Sequence, residues 1–245
     1  KLVYIYERER EWQKAIDAHR KLEMLSGAKS NQVAHYYCEL AESARASGDR
    51  ELARSYLKNT IRSETGQLRG ALIRAGLAQE EHEITQAIGL YEQVIEKNRN
   101  FITEVLPRLV ECYRTIDKLP YLDAKIENWV AADPTLRREF AYAAIIANLT
   151  TSDALNACVE SFVLGNPVLA SLVNGDELKS LPPEERRRAI ERIGQGLRKI
   201  AATSARYRCT NCGYSTQNFI WHCPSCKLWE TVRPIQSLPL ENLLT

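Results

Sequence analysis

The sequence predicts a mainly α-helical protein that ends in a small, cysteine-rich β module. Through most of the 245 residues, apolar side chains recur at steps of three and four, as on one face of a helix. Four of the seven cysteines stand within eighteen positions near the end of the chain. The other three, Cys38, Cys112 and Cys158, are scattered through helical segments, which favours a reducing compartment over a disulfide framework.

The composition is that of an ordinary soluble protein. The chain is 44% hydrophobic and 26% charged, and its formal net charge is +2. Nothing in this balance requires a polyanionic partner.

A pair of helical segments repeats through the first two-thirds of the chain. Ala15, Ala53 and Ala87 hold the same place in "EWQKAIDAHRKLEML", "DRELARSYLKNTIRS" and "EITQAIGLYEQVIEK", at intervals of 38 and then 34 residues. Another helix-period stretch precedes each of these segments. We expect the small alanine to let two helices approach closely, while larger apolar residues such as Leu22 and Val94 fill the groove between them.

Two further units end at proline, which cannot continue a helix interior. The first closes at Pro134 and the second at Pro167, 33 residues later. The pattern resembles the tetratricopeptide repeat, a helical hairpin of about 34 residues whose copies stack into a superhelix. About five such units are predicted over residues 1–167, the first of them truncated. Additional helices that pack on the repeats are predicted over 168–205, and the cysteine-rich module over 206–245.

The register of the repeat assigns ten polar or aromatic residues to the inner face of the stack. Stacked helical hairpins usually bind protein segments on that face, and the alternative is that these residues are ordinary solvated surface. The ten are Tyr4, Glu7, Arg8, His35, Glu42, Arg45, Arg69, Gln79, Glu111 and Arg114.

A basic helix is predicted to begin at Pro183. Between Pro182 and Arg208 the sequence has eight Lys or Arg and three Glu. Such an excess can mark a surface for nucleic acid or acidic lipid, but a solvated helix face is favoured because aromatic residues suited to base stacking are scarce nearby.

The clustered cysteines have the spacing C-x2-C-x10-C-x2-C. Two thiolates separated by two residues can hold one metal ion in a tight turn, and two such turns supply four sulfur atoms in a tetrahedron. Because four sulfur ligands leave no open coordination position, a structural site is predicted rather than a catalytic one. Zinc is the expected ion and iron the alternative, since both suit this ligand set. The predicted metal ligands are Cys209, Cys212, Cys223 and Cys226.

The residues around the cysteines predict how the module folds. Gly213 follows the first pair where a positive φ is expected, and Lys227 occupies the position where the second turn calls for glycine. The segment "NFIWH" at 218–222 is predicted to be the returning strand of a hairpin. The rings of Phe219, Trp221 and Trp229 are expected to form an apolar shell that packs on the preceding helix.

The two knuckles, "CTNCGY" and "CPSC", resemble those of rubredoxin. Helical repeats that end in "RYRC-x-x-CG…WHCPSC-x-x-W" resemble the lipopolysaccharide assembly protein B family of Gram-negative bacteria. "EWQKAID" and "AHYYCELA" in the first repeats are similar to that family as well. The resemblance extends over essentially the whole chain.

The resemblance implies a non-enzymatic adaptor on the cytoplasmic side of the bacterial inner membrane. Members of the family promote proteolysis of the deacetylase that commits precursors to lipid A, by a membrane-bound ATP-dependent protease. The implied partners are that protease, that deacetylase, other lipopolysaccharide assembly proteins and a second copy of the chain. Because the chain begins with Lys1, a membrane anchor is expected upstream.

The alternative function is a zinc-ribbon nucleic-acid-binding protein in which the helical repeats serve as a platform. Neither a nucleophile–base pair nor a pair of catalytic carboxylates stands out in the sequence. No catalytic residue and no organic cofactor is therefore predicted.

Overall fold

A computed structural model confirms the predicted fold class. The chain is mainly α-helical and carries a small antiparallel sheet towards its C-terminus. It divides into two compact units, Lys1–Val94 and Ile95–Thr245. The residues that the structure describes are 2–27, 30, 32–61 and 66–235.

The first unit consists of helical hairpins at the predicted positions. Gly48 has a φ of 84° in the turn of the second hairpin, and the Asp49 side chain caps the following helix by accepting a hydrogen bond from the Leu52 N–H. The helices are α1 (Leu2–Arg8), α2 (Trp12–Ser26), α3 (Val33–Ala46), α4 (Arg50–Leu57, continued by a short 3-10 helix, Lys58–Thr60), α5 (Gln67–Glu80) and α6 (Ile84–Lys97).

The repeated alanines lie where the helices of the first unit pack. Ala15, Ala53 and Ala87 are all fully buried, as predicted. Around Ala53, apolar residues of α3, α4 and α5 form one core cluster: Cys38, Ala41, Ala44, Leu57, Ile73 and Leu77. Leu22, which was expected to fill a groove, is half exposed instead.

Thr60, which follows Ala53 by seven residues as Leu22 follows Ala15, makes a close contact with α5. Thr60 is fully buried, and its hydroxyl donates a hydrogen bond to the Leu57 carbonyl at 2.8 Å. A Cβ atom on Gly70 would lie 2.3 Å from the Thr60 Oγ1 atom. Glycine at position 70 therefore lets α5 pack directly on this hydroxyl.

Three charged residues assigned to the inner face, Glu42, Arg45 and Arg69, form ion pairs between α3 and α5. The Arg45 guanidinium contacts Glu80 at 2.5 Å. The buried Arg69 contacts Glu39 at 2.7 Å and also pairs with Glu42. These charges hold neighbouring helices together within the first unit.

The other candidates of that face differ in accessibility. His35 is 1% exposed, so it is not available on a surface. Glu7 accepts a hydrogen bond from the Tyr36 hydroxyl at 2.8 Å, and Gln79 accepts one from the Tyr91 hydroxyl at 3.1 Å. The exposed candidates are Tyr4, Arg8, Glu111 and Arg114, the last two forming an ion pair with each other.

After the last turn of α6, the second unit has a short 3-10 helix, Arg99–Phe101, and then seven α-helices among the described residues. Pro134 lies between two of these helices and Pro167 begins another, as predicted. The Trp129 and Phe140 rings stack 5.9 Å apart in its core. The helices are α7 (Ile102–Thr115), α8 (Leu119–Ala132), α9 (Leu136–Ala147), α10 (Asp153–Gly165), α11 (Pro167–Leu172), α12 (Gly175–Ser180) and α13 (Pro183–Thr203).

The basic helix α13 starts at Pro183, as predicted, and buries Ile190 and Leu197. Two of its cations form ion pairs: Arg186 contacts Glu160 at 3.1 Å, and Arg187 contacts the next turn of its own helix. Within the described ranges, none of the helices combines the length and the apolar character that crossing a bilayer requires.

A three-stranded antiparallel sheet forms the base of the cysteine-rich module. Its strands are β1 (Tyr207–Cys209), β2 (Ser215–Thr216) and β3 (Val232–Pro234), in the order β2-β1-β3. The prediction that residues 218–222 form the returning strand is wrong. That role belongs to β2, and the segment lies outside the sheet except for one isolated bridge between His222 and Trp229.

Replacing a repeated alanine with a large residue tests the packing of the first unit. Because Ala53 is fully buried among α3, α4 and α5, Ala53→Leu is expected to lower the free energy of unfolding by about 1–3 kcal/mol through overpacking. The matched control is Ala46→Leu, at an exposed position of the same unit. Urea unfolding followed by circular dichroism measures both variants, and equal midpoints would contradict the packing described here.

Candidate metal centre

The two Cys-x-x-Cys pairs lie in turns that have the same backbone hydrogen bonds. In the first turn, the Cys209 N–H donates to the Tyr214 carbonyl at 2.7 Å. In the second, the Cys223 N–H donates to the Leu228 carbonyl at 3.0 Å. Each bond therefore joins the first cysteine of a pair to the residue five positions later, and the module contains two copies of one knuckle.

Each knuckle closes through a residue with positive φ. The N–H groups of Gly213 and Lys227 donate to the carbonyls of Cys209 and Cys223, both at 3.0 Å. Gly213 has a φ of 76°, as predicted, and Lys227 has a φ of 60°. Glycine adopts this conformation at no steric cost, whereas a residue with a side chain is disfavoured by about 1–2 kcal/mol.

The knuckles bring the four predicted sulfur ligands together. All four Sγ atoms lie within 4.8 Å of one another. Cys209 and Cys226 are 3.7 Å apart at sulfur, as are Cys212 and Cys223. A regular tetrahedron with metal–sulfur bonds of about 2.3 Å has edges of about 3.8 Å, so these separations fit one central ion. Within the described residues, these four cysteines are the one cluster of potential ligands (His, Cys, Asp or Glu) whose ligand atoms lie close enough together to hold a metal ion.

The surroundings of the four sulfur atoms shift the pKa values of the cysteines in different directions. The Thr231 Oγ1 atom lies 3.3 Å from the Cys209 Sγ atom, and the hydrogen bond between these side chains lowers the pKa of Cys209 to about 6. Burial raises the pKa of Cys223 to about 11. A bound dication favours the thiolate form at every ligand, so it offsets the cost of burying charge at Cys223.

An aromatic cluster attaches the module to the start of α7. The Phe101 ring, which is fully buried, stacks on Trp221 at 5.6 Å and meets Phe219 edge-on at 5.4 Å. The Arg233 guanidinium lies over the Phe101 ring at 5.7 Å. The sequence predicted that this shell packs on the preceding helix, but it gave no sign of Phe101, since nothing in "NRNF" distinguishes that residue from other buried rings.

Hydrogen bonds reinforce this attachment. The Tyr207 hydroxyl, in β1, donates to the Glu104 carboxylate of α7. Burial, together with that carboxylate, raises the pKa of Tyr207. The Gln217 side chain also donates to the Ser204 carbonyl at the end of α13, at 2.5 Å. These hydrogen bonds therefore join the module to α7 and to the end of α13, both in its own unit.

His222 is adjacent to a cysteine but has another role. Its Nε2 atom lies 3.0 Å from the Lys227 carbonyl, and its ring stacks on Trp229 at 4.5 Å with an interplanar angle of 16°. These contacts join the two ends of the second knuckle. Trp229 thus packs on His222, whereas Phe219 and Trp221 contact each other and Phe101.

The geometry and comparison with known proteins agree on the class of the module, a rubredoxin-like zinc ribbon. Residues 207–234 match the family model described as "Rubredoxin metal binding domain".

The resemblance to lipopolysaccharide assembly protein B is also confirmed. The chain is 29% identical over 248 residues to the protein of that name from Escherichia coli K12, covering 97% of this chain and 62% of that protein. With the Haemophilus influenzae protein of the same name it is 26% identical over 242 residues, covering 96% and 60%. The chain therefore spans about three-fifths of the length of these relatives.

The two positive-φ positions give a matched pair of substitutions. Gly213→Ala is expected to destabilise the metal-bound module by about 1–2 kcal/mol, since the penalty is purely conformational: a Cβ atom there would meet nothing within 4 Å. Lys227→Gly is expected to stabilise it by up to about 1 kcal/mol. Titration with a colour-forming chelator measures both changes. Gly194→Ala, in an open position of α13, is the control, and a shift of the same sign in both knuckle variants would refute the strain argument.

Proposed function

We propose that this protein is a non-enzymatic adaptor in lipopolysaccharide assembly. The similarity over 97% of the chain to proteins named lipopolysaccharide assembly protein B supports this assignment. The observation that carries this assignment is the combination of helical hairpins with a four-sulfur module. The resemblance of the sequence to the lipopolysaccharide assembly protein B family depends on the same combination. In this proposal residues 1–167 supply repeats for binding proteins, residues 168–205 supply supporting helices, and residues 206–245 form the metal module.

The proposed metal ligands are Cys209, Cys212, Cys223 and Cys226, and the proposed ion is zinc. The sulfur separations support a tetrahedral site but suit iron equally well. A closed site of four thiolates supplies folding energy to a small module rather than a reactive position. This chemistry is consistent with relatives that are named as assembly proteins and not as enzymes.

We also propose where in the cell the protein acts and which proteins it works with. The protein acts at the cytoplasmic face of the bacterial inner membrane, where it promotes proteolysis of the lipid A-committing deacetylase by a membrane-bound ATP-dependent protease. Cys38, Cys112 and Cys158 are buried and form no disulfide bond within the described ranges, which supports a reducing compartment. The long helical-hairpin segment supports protein partners, because stacked hairpins present extended surfaces.

Removing half of the sulfur ligands in cells tests the proposal. The test uses a bacterial strain whose only gene for this protein encodes the double variant Cys209→Ser, Cys212→Ser. We expect the metal content of the protein purified from that strain to fall from one ion per chain to none. We also expect the half-life of the deacetylase to lengthen several-fold, because an unclamped module no longer supports partner control. Elemental analysis and a chase immunoblot measure the two effects.

The control variant is Asn211→Ser, an exposed position between the same two ligands. It should keep both the metal and the short half-life. Loss of the metal with an unchanged deacetylase half-life would contradict the proposed role of the module in partner control.

A further inference from the structure

Arg74, on α5, is a partly buried cation with no hydrogen-bond or ion-pair partner in the part of the chain that the structure describes. Its Nε atom is fully shielded from solvent and makes no hydrogen bond. Burial lowers the pKa of its guanidinium, and an interaction with Cys38 partly offsets that effect. A partly desolvated arginine without an anion is costly for the folded state, and an anion bound beside it would offset that cost.

The arginines around it each have a carboxylate partner. Arg45 pairs with Glu80, Arg69 with Glu39 and Glu42, and Arg54 with Glu51 and Glu81. Arg74 follows Arg69 by five residues, which places it about 140° around the helix axis. It therefore leaves α5 on a different side from Arg69, and within the described residues it takes part in none of the ion pairs between α3 and α5.

Arg74 lines a cavity of about 290 Å³ in the first unit. The apolar part of the lining comes from Leu57, Leu77 and Leu90, on α4, α5 and α6 respectively. The polar part includes Lys58, Glu83 and Gln86, all of which are exposed. The cavity thus combines an unpaired guanidinium, an apolar wall and a rim that offers hydrogen-bond acceptors.

We propose that this cavity binds an acidic peptide segment in which Asp or Glu stands next to a large apolar residue. The carboxylate pairs with Arg74, whose planar fork matches two carboxylate oxygens. The apolar side chain packs on Leu57, Leu77 and Leu90. The Glu83 and Gln86 side chains accept hydrogen bonds from N–H groups of the peptide.

The carboxylates that line the cavity favour a carboxylate ligand over a phosphate. Glu81 and Glu83 both contribute to the lining, so a dianionic phosphate would meet repulsion that a single carboxylate largely avoids. The inference deepens the adaptor role proposed above by naming a class of partner segment. Its test is made in vitro with the whole chain and does not depend on any lipopolysaccharide readout.

Selection from a random heptapeptide display library tests the proposal. The whole chain is the bait, and the Arg74→Gln variant is used for counter-selection. We expect enriched peptides to carry Asp or Glu beside Leu, Ile, Phe or Met. Fluorescence anisotropy should then show that an enriched peptide loses affinity about tenfold or more when its acidic residue becomes the amide, or when the protein carries Arg74→Gln.

The matched control is Arg50→Gln, an exposed arginine of the same unit, which should bind the peptide as the unmodified chain does. Arg74→Gln should not lower the thermal midpoint, because no internal partner is lost. The proposal is wrong if no acidic peptide is enriched, if Arg74→Gln binds normally, or if that variant unfolds at a lower temperature. Vesicles of anionic phospholipid that bind through Arg74, without enrichment of an acidic peptide, would also contradict it.

Discussion

Four cysteine sulfur atoms within 4.8 Å of one another cannot all be thiolates unless a cation lies among them. This constraint governs the C-terminal module. Its three strands have two or three residues each, too few to hold a hairpin together by backbone pairing alone. The two knuckles present their sulfur atoms through equivalent hydrogen bonds, so one ion bound by all four would fix both turns at once. Binding of that ion and folding of the module would then be a single event, as in other small metal-stabilised domains.

The contacts between the module and the helices of the second unit would extend the effect of a bound metal to those helices. Phe101 is fully buried against Phe219 and Trp221, and the Tyr207 hydroxyl is bonded to Glu104. These contacts bury the apolar side of a domain that has little core of its own. A change at the sulfur cluster therefore alters the surroundings of the first residues of α7, which lie more than 100 positions earlier in the chain.

The sequence predicted those features that depend on residues close together in the chain. The 38- and 34-residue alanine intervals located the hairpins, the proline positions located helix ends, and the Cys-x-x-Cys spacing identified all four candidate ligands. Features that depend on distant residues were not predicted. The contact between Phe101 and the module, the pairing of Arg69 with α3 and the isolation of Arg74 each depend on which helix faces are opposed. The segment 218–222 was predicted as a strand because its aromatic and β-branched residues suit strands, but its rings serve the contact with Phe101 instead.

X-ray absorption spectroscopy on the whole chain, purified without added metal, tests the central claim most directly. The measurement reports the identity of the bound element, its amount and the atoms that surround it. The account predicts one zinc ion per chain with four sulfur neighbours at about 2.3 Å. A substoichiometric metal content, or a shell that contains nitrogen or oxygen in place of a sulfur atom, would contradict it.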